Sequence, residues 1–246
     1  VVNRRKMILS PSLLKRGIFK RAIANRPNTD GACDDSLYSI WFYNSEGNEK
    51  AVMMNYPCHP TLFRRNGVSS DFTGEVSRHL KSQVSKDLIV CFLQGFAGNI
   101  KANLTQSSYF NNQSILSYFY SCLFDRTQFN KNISQQQLSE FSLRLAQSSL
   151  KRTQSKQIIP HLFFSSKVIK LPLDIASGDQ YADFELSYIA IGDKLRAIAV
   201  GGEMFTEYSL WLREFLLLDD IDLLTIGYCN DMVGYIPTQE AVIEGG

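Results

Sequence analysis

The chain has 246 residues, enough for one large domain with a substantial buried core. Its 26 Lys and Arg residues nearly balance 24 Asp and Glu residues, so the net charge gives no reason to expect nucleic acid as a partner. No run of about 18 or more apolar residues occurs, so no transmembrane helix is predicted. The five cysteines have no CxxC spacing and are expected to be buried free thiols.

The two ends of the sequence suggest a piece of a longer protein. The chain opens on Val1-Val2 without an initiator Met and stops at Gly245-Gly246. We therefore expect that an N-terminal segment and any C-terminal domain are missing. The first thirty residues are predicted to be irregular, with a short helix near 13–23.

A β-hairpin and a helix are predicted next along the chain. Two apolar runs at 36–43 and 50–56 flank an Asn/Ser/Gly turn, which is a hairpin signal. A helix is expected at 72–84, with Ser70 or Asp71 as its N-cap.

The remaining segments alternate between the strand and the helix period. The sequence predicts a strand at 87–93 buried on both faces, an amphipathic helix at 134–151, paired strands at 184–191 and 195–200, a helix at 206–217, and a strand at 222–228. Because no repeat and no long linker occurs, residues 1–246 are predicted to form a single α/β domain, built on a mixed β-sheet flanked by helices.

Polar side chains of the kind that bind metals stand where predicted strands end. His59 follows strand 50–56, Glu203 follows strand 195–200, and the segment 227–235 follows the last strand. Catalytic groups concentrate on loops at strand ends, which the sheet holds rigidly. A single histidine in a Pro-rich turn is nevertheless more often structural, and the spacing alone does not decide between the two readings.

Several segments, taken in order, resemble the neutral/alkaline non-lysosomal ceramidase family. They are Asn3-Arg4-Arg5, 55–61, 70–74, 92–100, 202–205 and 227–238. The resemblance extends over most of the chain, whereas 105–180 is uninformative. It implies an α/β catalytic domain, a secreted or periplasmic location and a small-molecule or lipid-like amide substrate, although free cysteines also fit the cytoplasm.

The resemblance also implies a zinc site. In that family two histidines, a glutamate and a tyrosine bind one Zn²⁺, and the matching positions here are His59, Glu203 and Tyr235. The family's other histidine ligand, and a catalytic histidine, come from an upstream segment, and this chain begins after it. Tyr235 is expected either to bind as a phenolate or to donate a hydrogen bond to the reacting oxygen.

The same comparison assigns further site residues, with one clear departure. Lys101, a candidate catalytic residue together with Tyr235, stands where the family's ceramidases carry a serine, and it is expected either to bind an anionic substrate group or to point to solvent. Arg4, Gly98 and Asn99 match substrate-binding positions, with Asn99 in place of an aspartate.

The sequence therefore predicts a zinc-dependent hydrolase in which metal-activated water attacks an amide carbonyl. The alternative is a non-catalytic relative that serves as a binding or structural module. A metal-free hydrolase using Ser70 and Asp71 is disfavoured, because no histidine is placed as its base and His79 is expected on a helix surface. The sequence gives no indication of oligomeric state.

Overall fold

A computed structural model describes residues 1–9, 21–63, 66–106, 128–151, 161–172, 181–217 and 221–244. Its strands are β1 Val2–Leu9, β2 Arg21–Asn28, β3 Tyr38–Tyr43, β4 Glu49–Tyr56, β5 Ile89–Gln94, β6 Ile100–Lys101, β7 Thr105–Gln106, β8 Gln128–Phe129, β9 Leu162–Pro172, β10 Tyr181–Ile191, β11 Leu195–Val200, β12 Glu203–Met204, β13 Asp222–Ile226 and β14 Tyr235–Ile236. Its helices are α1 Asp71–Gln83, α2 Gln135–Leu150, α3 Thr206–Leu217 and α4 Gln239–Ile243.

Two mixed sheets form the centre of the fold. One has the strand order β3-β4-β5, in which β3 is antiparallel and β5 is parallel to β4. The other has the order β13-β11-β10-β9, in which β11 and β13 are parallel and the remaining neighbours are antiparallel. The predicted α/β class, with mixed sheets flanked by helices, is confirmed, with the strands divided between two sheets.

Alternating side chains pack the two sheets against each other and against helices. On β4, Val52 and Met54 face α1 and α2, where they join a core with Phe72 and Leu80. On β11, Ala197 and Ala199 face the other way and pack with the partly buried Tyr38, Ile40 and Leu93 of the first sheet. The opposite face of β11 packs against α3 through a third cluster. Period-two alternation in both sheets thus yields helix, sheet, sheet and helix layers.

Polar bonds join the two sheets where the strands lie closest. Asn55, which is 1% exposed, donates from Nδ2 to the carbonyl oxygens of Thr225 on β13 and Leu93 on β5. Satisfied polar groups of this kind fix how two buried layers align.

A buried ion pair ties the segment before β3 to α3. The Asp34 side chain accepts hydrogen bonds from Arg213 Nε at 3.0 Å and from Ser209 Oγ at 2.8 Å. Burial opposes ionisation of this carboxyl, but the Arg213 guanidinium and hydrogen bonds from Ser36 and Ser209 hold its pKa below the ordinary value. Asp34 is therefore ionised in the folded protein at neutral pH.

The ends of α1, α2 and α3 match the sequence within one residue, whereas α4 was not predicted. Ser134 caps α2 in a capping box, since its hydroxyl accepts from Gln137 N while the Gln137 side chain accepts from Ser134 N. At α1 Ser70, one of the two expected caps, occupies the N-cap position, but its side chain makes no capping bond. Asp71 instead adopts a left-handed φ of 51° and accepts from the backbone N–H groups of Phe63 and Phe72.

The N-terminal region differs from the prediction of irregular structure. β1 and β2 form an antiparallel pair, and β6 joins the other edge of β1. Residues 10–20, and with them most of the helix expected at 13–23, lie outside the described residues, and the remaining 21–23 begin β2. Basic and polar residues predominate in this small sheet and hide the apolar alternation that marks a strand in a sequence.

Two further expectations, on β5 and on the cysteines, are corrected, and one long strand was not predicted. The segment predicted as a doubly buried strand is β5, which lies at the edge of its sheet and leaves Ile89 66% exposed. β9 was not predicted, and it pairs with β10 along its whole length. Cys91 is exposed rather than buried, Cys58 is buried, and Cys33 and Cys229 are half-buried; these four are free thiols. Cys122 lies outside the described residues.

No helix in the described ranges is both long and apolar enough to cross a membrane.

Candidate active site

Two pairs of parallel strands end at the same place in the molecule. β4 and β5 run parallel, as do β11 and β13, and residues at the carboxyl ends of parallel neighbours meet at one sheet edge. The backbone N–H of Gly227, just after β13, donates to the carbonyl of Gln94 at the end of β5, at 2.9 Å. The ends of both sheets therefore converge, and the loops that follow these strands form the site.

His59 occupies the loop that follows β4. Its side chain is 13% exposed, and its Nε2 lies 3.4 Å from Oε2 of Glu203. Burial lowers the pKa of His59; the Glu203 carboxylate opposes this shift, whereas the charges of Arg4 and Lys101 reinforce it. The imidazole is therefore neutral near pH 7, which is the form that binds metal ions.

Glu203 and Tyr235 lie side by side in a short parallel pair. They are register partners between β12 and β14, so their side chains leave the same face of this ladder. The pair is tightly held, since Gly98 donates its N–H to the carbonyl of Met204 at 2.8 Å. A Cβ at Gly98 would lie 2.5 Å from the carbonyl oxygen of Glu203, so only glycine permits this approach.

Tyr228 links the histidine and the carboxylate, and the sequence did not single it out. It follows β13 with a left-handed φ of 60°, and its hydroxyl lies 3.0 Å from His59 Nδ1. Burial, a hydrogen bond to the Glu203 carboxylate and the charge of that carboxylate raise the pKa of the Tyr228 hydroxyl, which stays protonated. The hydroxyl can donate to Glu203 and accept from His59 Nδ1–H, leaving the Nε2 lone pair available.

Arg4 lies over the candidate tyrosine. Its guanidinium carbon is 5.3 Å from the centroid of the Tyr235 ring, and its Nη2 donates to the carbonyl of Gly98 at 2.7 Å. Tyr235 is 53% exposed and therefore open to a substrate. The guanidinium places a positive charge at this face of the site.

Lys101 and Asn99, which the sequence also predicted as site residues, have surroundings different from those expected. Lys101 lines a cavity of about 310 Å³ that also includes His59, and its Nζ lies 4.7 Å from the centroid of the Phe129 ring. Asn99 is fully buried: it accepts from Thr206 N and donates to Glu207 at the start of α3. In that position Asn99 holds α3 against the loop after β5.

The alternative pair of Ser70 and Asp71 has no base beside it. Both Asp71 oxygens accept backbone N–H groups at the start of α1. His79 lies two turns further along that helix, where its Nε2 is 3.2 Å from Ser139 Oγ on α2.

The His59 and Glu203 atoms that face each other fit a metal ion. Nε2 of His59 and Oε2 of Glu203 are buried and have no hydrogen-bond partner in the described part of the chain. Ligand atoms about 2.1 Å from a tetrahedral Zn²⁺ lie about 3.4 Å apart, and 3.4 Å is the separation found here. Within the described ranges no group of three or more His, Cys, Asp and Glu residues could hold a metal, so any third ligand from these ranges would be of another type, such as tyrosine.

Comparison with solved structures shows a ceramidase-like fold. The neutral ceramidase from Pseudomonas aeruginosa matches with a TM-score of 0.60 and 14% identity, over 85% of this chain and 42% of that chain. A ceramidase complexed with C2 matches with a TM-score of 0.59 and 15% identity, over 87% of this chain and 44% of that chain. This chain thus spans less than half the length of either structure. No protein-family model and no curated protein sequence matches it.

Proposed function

We propose that this chain forms part of the active site of a zinc-dependent hydrolase that cleaves the amide bond of an N-acylated lipid or a related N-acyl compound. The observation that supports it most strongly is the buried, unpartnered pair of His59 Nε2 and Glu203 Oε2, 3.4 Å apart at converging strand ends. The ceramidase-like fold supports an amide as the bond that is cleaved.

His59, Glu203 and Tyr235 are the residues that would hold the zinc ion. When bound, zinc supplies Lewis acidity, which polarises an amide carbonyl and acidifies water. A neutral imidazole and a carboxylate are both ordinary zinc ligands. The Tyr228 hydroxyl keeps the imidazole proton on Nδ1, a role that outer-shell hydrogen bonds commonly have at metal sites.

The remaining side chains are suited to binding the reacting group. Tyr235 is 53% exposed beside Glu203; where its hydroxyl does not bind the metal as a phenolate, it can donate a hydrogen bond to the oxyanion that forms as the carbonyl is attacked. The Arg4 guanidinium lies against the Tyr235 ring and adds positive charge where negative charge develops. Both groups are held by backbone contacts before any substrate binds, which is the arrangement that favours a transition state.

A second candidate is a binding module that has kept the fold without the activity. The observation in its favour is Lys101, a long cation lying on Phe129 at the position where the resemblance implies a serine. Such a module would bind an N-acyl compound without hydrolysing it.

Hydrolysis assays on the full-length protein decide between the two. If the protein is the proposed enzyme, we expect it to release amine from N-acyl substrates. A zinc chelator is expected to abolish this activity, and added Zn²⁺ to restore it. Glu203→Gln abolishes hydrolysis, whereas Glu140→Gln, which alters an exposed helix carboxylate, leaves it unchanged. Tight binding of an N-acyl compound without amine release under any of these conditions would support the binding module instead.

A further inference from the structure

A cavity whose described lining carries charged residues of only one sign adjoins the candidate zinc pair. Its volume is about 310 Å³, and His59 lies in its wall. Arg26, Lys101 and Lys131 also line it, and no carboxylate lies among the lining residues that the structure describes.

The three cations come from separate parts of the chain. Arg26 lies on β2 and is half-buried, Lys101 ends β6 and is half-buried, and Lys131 lies exposed just after β8. Neither Arg26 nor Lys131 pairs with a carboxylate within the described ranges. The Lys101 ammonium is held against the Phe129 ring, which lines the same cavity. The fold therefore brings three positive charges to one concave surface.

Part of the cavity lining is apolar. Leu62, Ala102 and Phe129 are buried side chains in this lining. Apolar walls lower the local dielectric, so nearby cations act more strongly on a bound charge than they would in water. A few polar groups among apolar walls are typical of small-molecule sites.

We infer that the amide substrate carries an anionic oxygen group, a phosphate ester or a carboxylate, on its amine portion, and that this group binds in the cavity between Lys101, Arg26 and Lys131. The inference rests on the proposed function, because His59 would then belong both to the zinc site and to the wall of the cavity. When the amide carbonyl of the substrate lies at the zinc site beside His59, the group attached to one side of that amide lies in this cavity.

Size and charge assign the cavity to the amine portion of the substrate. Ligand pockets measure about 300–1,000 Å³, so this volume suits a compact head group. A long acyl chain in this cavity would have to pack beside three cations and desolvate them, which is costly. Charge-assisted hydrogen bonds from Lys and Arg favour an anion there instead.

The first test measures binding without turnover. N-acetyl-O-phosphoethanolamine, N-acetylglycine and the neutral N-acetylethanolamine are titrated into the full-length protein by calorimetry. The anionic compounds are expected to bind at least about tenfold more tightly than the neutral one, and the better of the two identifies the anionic group. Equal affinity for all three compounds would overturn the inference.

Matched variants test which side chains produce the preference for the anionic compound. Lys101→Gln, Arg26→Gln and Lys131→Gln are each expected to reduce the preference for the anionic compound by up to about tenfold. Lys86→Gln removes the same charge from an exposed position outside the cavity and should leave the preference unchanged. Thermal unfolding confirms that each variant is folded. A preference that survives in all three cavity variants would place the anion elsewhere and overturn the inference.

Hydrolysis of the matching N-lauroyl compounds separates this inference from the proposed function. The anionic amides are expected to be cleaved with a kcat/KM at least about tenfold above that of the neutral amide. Zinc-dependent hydrolysis with no such preference would reject only the anionic substrate. Selective binding of the anion with no hydrolysis of any amide would reject the proposed function and, with it, the substrate assignment.

Discussion

The Tyr228 hydroxyl lies 3.0 Å from Nδ1 of His59, and Tyr228 holds this position with a left-handed φ of 60°. A non-glycine residue in that conformation is uncommon, and such residues persist where surrounding contacts hold them. Here one such contact is the imidazole, and the Glu203 carboxylate is near enough to raise the pKa of the hydroxyl. The hydroxyl therefore orients His59, the predicted zinc ligand that it contacts.

Removal of that hydroxyl is expected to weaken zinc binding. Tyr228→Phe leaves His59 Nδ1 without its partner, and loss of an outer-shell partner typically lowers metal affinity about 10- to 100-fold. Competition with a fluorescent chelator measures the affinity. Tyr188→Phe removes a hydroxyl from a ring that packs on Phe163 and serves as the control. Unchanged zinc affinity in Tyr228→Phe would mean that Tyr228 does not support the metal site.

The Asp34 and Arg213 pair is expected to stabilise the fold strongly. Asp34→Asn leaves the Arg213 guanidinium, whose side chain is 12% exposed, without its carboxylate, and breaking a buried pair costs about 3–5 kcal/mol of unfolding free energy. Denaturant unfolding measures the change. Glu140→Gln breaks an exposed pair with Arg144 and should change stability by about 0.5 kcal/mol or less. Equal effects of the two substitutions would contradict this role.

The same pair predicts a pH dependence. The pKa of Asp34 is lower in the folded protein than its unfolded value of about 3.9. The stability that the ionised carboxylate adds is therefore fully present above about pH 5 and is lost as the pH falls through the folded pKa. The gap in unfolding free energy between the wild type and Asp34→Asn should stay constant from pH 7 to pH 5 and narrow below pH 4. A gap that widens on acidification would contradict the assignment.

Asp71 is expected to hold the loop that carries His59. Its Oδ2 accepts from Phe63 N at 2.7 Å, and its left-handed φ of 51° suits Asp or Asn better than Ala. Asp71→Ala leaves that N–H unpaired in a strained turn, at a cost of about 2–4 kcal/mol. Asp71→Asn keeps one acceptor oxygen and tolerates the turn, so the expected cost is only about 1–2 kcal/mol. Equal losses of unfolding free energy in the two variants would exclude this explanation.

Local patterns in the sequence predicted most of the elements around the site. The bounds of α3 and β11 agree with those expected, because apolar periodicity marks both elements and Gly192 and Gly201 flank β11. The rule that polar residues at strand ends form sites selected His59, Glu203 and the segment 227–235 after the last strand. That segment contains Tyr228, two residues after β13, but the sequence assigned no role to Tyr228 itself.

What the sequence could not predict depends on contacts between distant segments. β9 carries Phe163 and Phe164 in succession, and both are more than half exposed, so no inward-facing alternation marks the strand. The stacking of two sheets depends on Ala197 and Ala199 meeting residues of β3 and β5. Asn99 matched a substrate-binding position in the sequence, whereas its bonds to Thr206 and Glu207 appear only once α3 packs beside it.

The zinc content of the purified full-length protein tests the central claim most directly. We predict close to one Zn²⁺ per chain by elemental analysis, and loss of that metal in both His59→Ala and Glu203→Ala, with circular dichroism spectra unchanged from the wild type. Stoichiometric zinc retained in both folded variants would show that these two side chains do not hold the ion, and would contradict the account.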